Sequence, residues 1–360
     1  MDVKKKIMFI APSMRGGGSE RVISILVNHL SRKKFDIILV LLKKEGTYLK
    51  DLPNDIKIID LDSPRLRQAV FKILKTIKQI QPDTIMSTLS HLNIYLAIIR
   101  PLFNKKIRFI ARESSIVSVN NKNSKYTNLL DILYKIFYNN FDLMICQSNY
   151  MKKDLINNYK IKKEKMVVIN NPVNIEHINK LSTKSDKLLF DKSKINLLTV
   201  GRLSREKGYD MLLQAISKLD SNYHLTIIGM GNEENALKSL VKKLSIEHQV
   251  DFIGIQENPY KYMRETDLFI SSSRHEGFPN VVLEANACST PVVAFDCPGG
   301  TREIIENGLN GFLVECEDID KLVEKIIVAN NYLWDKDKIS DLVDSKYEVK
   351  YIIDKYESEL

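Results

Sequence analysis

Four side chains in the second half of the chain, Arg202, Lys207, Glu276 and Glu284, are of the types that hold a diphosphate and the polyols attached to it. Arg202 and Lys207 stand in Gly201-Arg-Leu-Ser-Arg-Glu-Lys-Gly208. A guanidinium offers a planar fork of donors and an ammonium a compact point charge, and both suit a diphosphate. On a loop considered alone the same two residues would simply be solvated. Glu276 and Glu284 stand in Ser271-Ser-Ser-Arg-His-Glu-Gly-Phe-Pro-Asn-Val-Val-Leu-Glu284. The first acid falls on a loop and the second inside the helix that follows, so the pair can reach different parts of one elongated ligand, such as a sugar ring and a ribose. Asn280 to Val282 sit where that helix presents its free N–H groups, the place a phosphate favours. Surface carboxylates are the plainer alternative, but they are rarely framed by Gly-Phe-Pro.

Two glycine-rich segments accompany these residues. Ser13-Met-Arg-Gly-Gly-Gly-Ser-Glu20 lets the backbone approach a ligand before a helix begins. It is neither G-x-G-x-x-G nor a loop ending in Gly-Lys-Ser/Thr, so a dinucleotide or ATP site is a poor fit. Asp296-Cys-Pro-Gly-Gly-Thr-Arg-Glu-Ile-Ile305 is a second turn of the same kind, in which Thr301 and Glu303 could equally cap the helix.

The elements that must position these loops are short apolar runs alternating with amphipathic stretches. The pattern predicts strands at Lys6–Ala11, Asp36–Leu42, Ile56–Leu61, Thr84–Thr88, Arg108–Ala111, Leu143–Gln147 and Met166–Ile169. It predicts five more at Asn196–Val200, His224–Ile228, Val250–Phe252, Leu268–Ser271 and Pro291–Phe295. Helices are expected between most of them, for example over Glu20–Ser31, Gln68–Ile80, Tyr209–Leu219, Glu233–Leu244, Pro259–Glu265, Val281–Ala287 and Ile319–Asn330. Strands alternating with helices imply parallel sheets, and 360 residues imply two domains. The polar, lysine-rich stretch Asn171–Lys194 is the expected linker. In tandem α/β domains, ligands bind outside the carboxyl ends of the strands, and each loop above lies at such an end.

Composition excludes several classes. Hydrophobic residues make up 44% and charged residues 28%, ordinary for a globular protein. No apolar run approaches the ~20 residues that span a bilayer. The N-terminal apolar run is cut by Pro12, and it reads as a buried strand rather than a signal peptide. Cys146, Cys288, Cys297 and Cys316 form no C-x-x-C pair and no zinc spacing, and are expected as reduced thiols of a cytoplasmic protein. Charge is divided unevenly: residues 1–180 carry 32 Lys and Arg against 15 Asp and Glu, while the remainder carries 22 against 30. A basic half points to a polyanionic neighbour, or to lysines that serve solubility alone. No nucleic-acid module is visible.

Taken together, the string Glu276–Ile305, the Gly201-Arg-Leu segment with Lys207-Gly208, and Gly16–Gly18 resemble the retaining GT-B glycosyltransferases of family 4. The two acids match that family's E-x7-E motif. The resemblance covers nearly the whole chain and is specific in the C-terminal half, looser in the N-terminal half. It implies two Rossmann-like domains with parallel sheets facing across a cleft: residues 1–172 binding the acceptor, with a C-terminal helix within about 345–360 packing back on them, and residues 195–344 binding the donor.

The resemblance also implies roles. Arg202 and Lys207 would neutralise the donor diphosphate as the sugar leaves. Glu276 would contact the donor sugar and Glu284 the ribose. Gly277, Phe278, Pro279, Asn280 and Val281 would line the donor site, with Gly229, Met230 and Ile255 at the base and Gly17 and Gly18 near the phosphate. Catalysis would fall to Glu276, Arg202 and Lys207, with no metal and no cofactor beyond a nucleotide-sugar co-substrate, UDP-sugar by family frequency. Many relatives carry a histidine near the reacting sugar, but the matching stretch Phe109–Ser115 has none, so Arg15, His91, Arg112 and Glu113 are the acceptor-side candidates. The expected activity is hexosyl transfer to a saccharide acceptor, polyprenyl-diphosphate-linked, in cell-surface glycan assembly at the inner face of the membrane. A nucleotide-sugar epimerase or hydrolase, or a non-catalytic assembly subunit, is the alternative on the same fold. Ser114–Lys125 is expected as a mobile loop shaping the acceptor side.

Overall fold

Alternation of apolar runs with amphipathic helices resolves into two parallel sheets in a computed structural model that describes residues 4–124, 126–183 and 189–360. One unit comprises the chain up to Pro172 together with Val349–Leu360, and the other comprises Val173–Glu348.

The first unit holds β1 (Lys5–Ala11), β2 (Phe35–Leu41), β3 (Lys57–Asp60), β4 (Thr84–Ser87), β5 (Arg108–Arg112), β6 (Leu143–Cys146) and β7 (Met166–Val168). Their order is β3-β2-β1-β4-β5-β6-β7, every pairing parallel. β1 is buried on both faces: Met8 and Ile10 enter one core cluster, Ile7 and Phe9 the other. That two-sided burial is why the strand reads as an unbroken apolar run. The helix Val349–Glu359 joins the second of these clusters through Ile352, Ile353 and Tyr356.

The second unit holds β8 (Ile195–Val200), β9 (Tyr223–Ile228), β10 (Val250–Phe252), β11 (Leu268–Ser271), β12 (Val292–Asp296) and β13 (Gly311–Glu315), ordered β10-β9-β8-β11-β12-β13 and again parallel. In both units the strand order reverses beside the first strand. The crevices at the carboxyl ends of β1 and β4, and of β8 and β11, are the places where such sheets take ligands.

The structure departs from the sequence expectation in four places. β13 is an additional edge strand, short and opened by Gly311. The helix Lys336–Tyr347 is also additional, and polar except for Ile339, Leu342, Val343 and Tyr347, of which Leu342 is only half-buried, a stripe too narrow to stand out in sequence. The expected linker is partly structured: the helix Ile175–Ser182 belongs to the second unit, with Ile178 in its core, and residues 184–188 of that stretch lie outside the described residues. Ser114–Lys125 is not simply a loop. Val117–Lys122 is a helix with Val117 and Asn121 buried, and the Asn121 amide donates to Asp131 Oδ1 (2.8 Å) and Tyr159 OH (3.2 Å); Lys125 itself is outside the described residues.

Candidate functional site

The loops after β8 and β11 meet at the switch point of the second sheet, and the geometry there is built by backbone contacts. After β8 the chain makes a 3-10 turn over Arg205–Lys207 and enters the helix Tyr209–Ile216 through Gly208 at φ +65°. A Cβ on Gly208 would collide with the Ser272 carbonyl, so glycine is required both by conformation and by the approach of the neighbouring loop. Gly208 therefore serves the chain's own packing as well as any ligand. The Ser272 hydroxyl donates to Lys207 O (2.9 Å), and the Arg274 N–H donates to Glu206 O (2.8 Å), so the two loops are sewn together.

That seam brings Lys207 Nζ to 2.6 Å from Glu276 Oε1. The same carboxylate oxygen accepts from the Ser273 hydroxyl at 2.7 Å. Burial alone would depress the Lys207 ammonium, but the Glu276 carboxylate outweighs it and holds the pKa above its ordinary value. Glu276 is fixed from behind: its N–H donates to Pro298 O (3.0 Å) and it bridges Gly299, whose φ of +133° and contact with the Glu276 carbonyl leave no room for a Cβ. The glycine turn Pro298–Gly300 thus supports the acid. Gly300 also receives the Phe278 ring, which packs on Tyr347 at 5.7 Å.

The remaining donor-side candidates divide. Arg202 is exposed on the loop after β8, while Gly277, Asn280 and Val281 are half-buried around the start of the helix Asn280–Ala287. No side chain caps that helix. Glu284 is buried within it. Phe278 and Pro279 are buried too, so Phe278 offers a ligand no ring face; its side chain builds the core. Gly229 (φ +146°) donates to Gly254 O, and Leu203 donates to Met230 O (3.0 Å), which locks the loop after β9 to the Arg202 loop. Met230 and Ile255 are large apolar side chains left exposed beyond the ends of β9 and β10.

Arg274 is the residue that sequence reasoning passed over. It grips Asp210 with two guanidinium nitrogens, each at 2.8 Å, donates to Arg205 O (2.8 Å), and reaches Glu317 at 3.2 Å. It thereby clamps the turn that carries Lys207 to the loop that carries Glu276. Its signal in the sequence was only an arginine two positions before the acid.

In the first unit, the loop after β1 and the start of the helix Ser90–Ile99 after β4 share one edge of the sheet. Gly17 caps the helix Gly18–His29, and the Glu20 carboxylate of the first turn lies against Gly17, in the space a Cβ there would need. Arg15 is exposed and paired with Glu45 at 2.5 Å. Beneath this loop, Gly46 at φ +123° abuts the backbone of Met14 and Arg15, a support invisible in sequence. His91, in the first turn of its helix, is exposed.

Arg112 and Glu113 are corrected by the structure: both are buried and neither faces solvent. The Arg112 guanidinium donates to Thr88 Oγ1 (2.9 Å), Asn171 Oδ1 (2.6 Å) and Tyr356 OH (3.0 Å). The Glu113 carboxyl accepts from Asn93 Nδ2 (2.9 Å) and from Tyr138 OH, and burial pushes its pKa up to about 8. These are interior hydrogen-bonding groups that tie β5 to its neighbours.

Comparison with known proteins follows the same division. The model of the family described as Glycosyltransferase Family 4 matches residues 16–177, and that of Glycosyl transferases group 1 matches 182–331. The chain is 30% identical over 331 residues, 89% of this chain and 88% of the other, to an N-acetylgalactosamine-N,N'-diacetylbacillosaminyl-diphospho-undecaprenol 4-alpha-N-acetylgalactosaminyltransferase of Campylobacter jejuni. It is 27% identical to an amylovoran biosynthesis glycosyltransferase of Erwinia amylovora, over 86% of each chain. A crystal structure of Anabaena HepE in complex with UDP superposes with a TM-score of 0.80 at 21% identity, covering 98% of this chain and 99% of that one. The sucrose-phosphate synthase of Thermosynechococcus elongatus superposes at 0.83 with 18% identity, covering 99% and 98%.

Proposed function

The chain belongs to the family 4 glycosyltransferases of GT-B fold, and from that membership we propose that it moves a hexosyl group from a UDP-sugar to a lipid-linked saccharide with retention at the anomeric carbon. The observation that carries the reading is the Lys207–Glu276 pair, held at the switch point of the second sheet by the Ser272, Ser273 and Pro298 contacts. A cation and an acid fixed 2.6 Å apart can serve the two sides of the bond that breaks: the departing diphosphate and the sugar. The name of the Campylobacter relative puts its transfer on a diphospho-undecaprenol acceptor, and this supports a polyprenyl-diphosphate acceptor here. Peripheral residence at the inner membrane face belongs to the same reading, and among the described residues no helix is long and apolar enough to cross a membrane.

In this mechanism Arg202, Lys207 and the first amides of the helix Asn280–Ala287 take the diphosphate, Glu276 takes hydroxyls of the donor sugar, and Glu284 takes the ribose. Gly229, Met230 and Ile255 form the seat of the base. The bond from the anomeric carbon to the phosphate oxygen breaks as the acceptor hydroxyl bonds to that carbon on the same face. The hydroxyl proton passes to the departing phosphate oxygen, and the nucleoside diphosphate leaves. Positive charge from Arg202 and Lys207 meets the negative charge that develops, the task a metal performs in other transferases, so the reaction is proposed to run without one.

The test is a thermal-shift panel of UDP, GDP, ADP and UMP with EDTA present, followed by transfer assays with and without an undecaprenyl-diphosphate saccharide. Stabilisation by UDP in EDTA, with donor consumed only when acceptor is added, is the expected result. Donor turnover without acceptor would make the protein a hydrolase or epimerase. The absence of a shift with any nucleotide would make it a non-catalytic subunit.

A further inference from the structure

The helix Thr127–Phe137 is apolar on more of its circumference than the core uses. Leu130, Leu133, Tyr134 and Phe137 pack inward. Leu129, Ile132 and Ile136, at three- and four-residue spacing, form a second stripe that is 54%, 51% and 60% exposed, and Tyr126 just before the helix is 69% exposed. The helix's one acid is turned away from that stripe: Asp131 accepts from Tyr159 OH (2.7 Å) and from Asn121 (2.8 Å). A contiguous stripe of branched aliphatic side chains on a solvent-facing helix marks a contact surface.

The charge around the stripe selects the partner. Lys135 is exposed on the same helix. The turn that ends the helix is bonded to the segment 160–165: Lys162 N–H donates to Asn139 Oδ1 (3.1 Å), Lys165 Nζ donates to Asn139 O (2.7 Å), and the Asn139 amide donates to Lys160 O (3.3 Å). Lys160, Lys162 and Lys163 are exposed there beside a single acid, Glu164, and among the described residues none of the three makes an ion pair. A protein partner would satisfy the apolar stripe equally well, but an isolated run of unpaired lysines at its end fits an extended anionic plane. Long ammonium side chains at the rim and aliphatic groups in the middle are the division an interfacial helix uses.

We propose that this stripe and these lysines dock the first unit onto a lipid bilayer carrying anionic headgroups, with Leu129, Ile132 and Ile136 entering the acyl boundary and Lys135, Lys160, Lys162 and Lys163 among the headgroups. The inference gives the membrane part of the reading above a definite surface and rests on nothing in the donor site. The test is sedimentation with phosphatidylcholine vesicles, with and without phosphatidylglycerol. Wild type pellets with the anionic vesicles, and less so at high salt. The variant Leu129→Gln/Ile132→Gln/Ile136→Gln and, separately, Lys160→Glu/Lys162→Glu/Lys163→Glu each lower the partition coefficient by about ten-fold or more. Both sets lie on the surface; should the helix variant fail to fold by circular dichroism, the lysine variant, outside the helix, still decides. Equal binding to neutral and anionic vesicles overturns the proposal, as does unchanged binding by a folded variant. A wild-type dimer that the glutamine variant dissolves into monomers overturns it too, and assigns the face to a second copy of the chain. UDP stabilisation measured on the same samples reports the donor site separately, so the two readings fail independently.

Discussion

At the scale of single residues, the candidate site reduces to how Lys207 divides its charge. In the structure Glu276 holds it; a diphosphate would compete for it. Lys207→Ala should therefore weaken UDP by about 10- to 100-fold and UMP far less, since one charge-assisted contact to the second phosphate is lost. Equal weakening of both nucleotides in calorimetric titration would remove Lys207 from the diphosphate. Glu276→Gln keeps the shape and the Ser273 contact but withdraws the carboxylate, and kcat should fall by about 10²- to 10³-fold with UDP affinity retained or raised. Unchanged turnover would exclude Glu276 from the chemistry. Glu113 offers a stability test away from the site. Burial holds its pKa near 8 in the folded state against an ordinary value of 4.5. The folded protein thus keeps a proton that the unfolded chain releases, and this contribution is complete below pH 4.5 and lost as pH rises to about 8. The unfolding free energy from urea titrations should fall across that window by up to about 1.4 kcal/mol per pH unit in wild type, and less steeply in Glu113→Gln. Parallel slopes would show that Glu113 is ionised when folded.

At the scale of elements, loops carry the chemistry and other loops hold them. Arg274 joins the Lys207 turn to the Glu276 loop through Asp210 and the Arg205 carbonyl. Arg274→Lys cannot reproduce a two-nitrogen grip, and Arg274→Ala leaves Asp210 without it. Both should raise KM for the donor and lower kcat, because Lys207 and Glu276 lose their fixed separation. Steady-state kinetics equal to wild type would sink the clamp. The acid loop was legible in sequence because strand, loop and helix signals coincide around Glu276 and Glu284. The twelve expected strands lie within a residue or two of those observed, since two-sided burial writes itself as apolar runs. What escaped depends on partners distant in the chain. Gly46 supports a loop thirty residues earlier. Arg112 and Glu113 read as charges at a strand end, and only Tyr356, Asn171, Asn93 and Tyr138 make them interior groups. The helix Lys336–Tyr347 escaped because three buried residues in twelve leave almost no periodicity.

At the scale of the whole molecule, the chain is partitioned so that each unit owns separate observables. The donor candidates Arg202, Lys207, Glu276 and Glu284 all lie in the unit Val173–Glu348, whereas the helix Val349–Glu359 belongs to the other. Tyr356 is the pin of that helix: it is fully buried in the first unit's core and its hydroxyl takes the Arg112 guanidinium. Tyr356→Phe removes one acceptor from a buried cation and should destabilise the first unit by about 1–3 kcal/mol. Tyr356→Ala removes the ring as well and should approach about 3–5 kcal/mol. UDP at one hundred times its dissociation constant should instead stabilise the second unit, by about 2.7 kcal/mol. Differential scanning calorimetry should accordingly resolve two transitions, one lowered by the Tyr356 variants and the other raised by UDP. If UDP raises the transition that the Tyr356 variants lower and leaves a separate transition unmoved, the assignment of the nucleotide to the second unit has to be given up; a single transition that responds to both perturbations would instead show that the units unfold as one cooperative body.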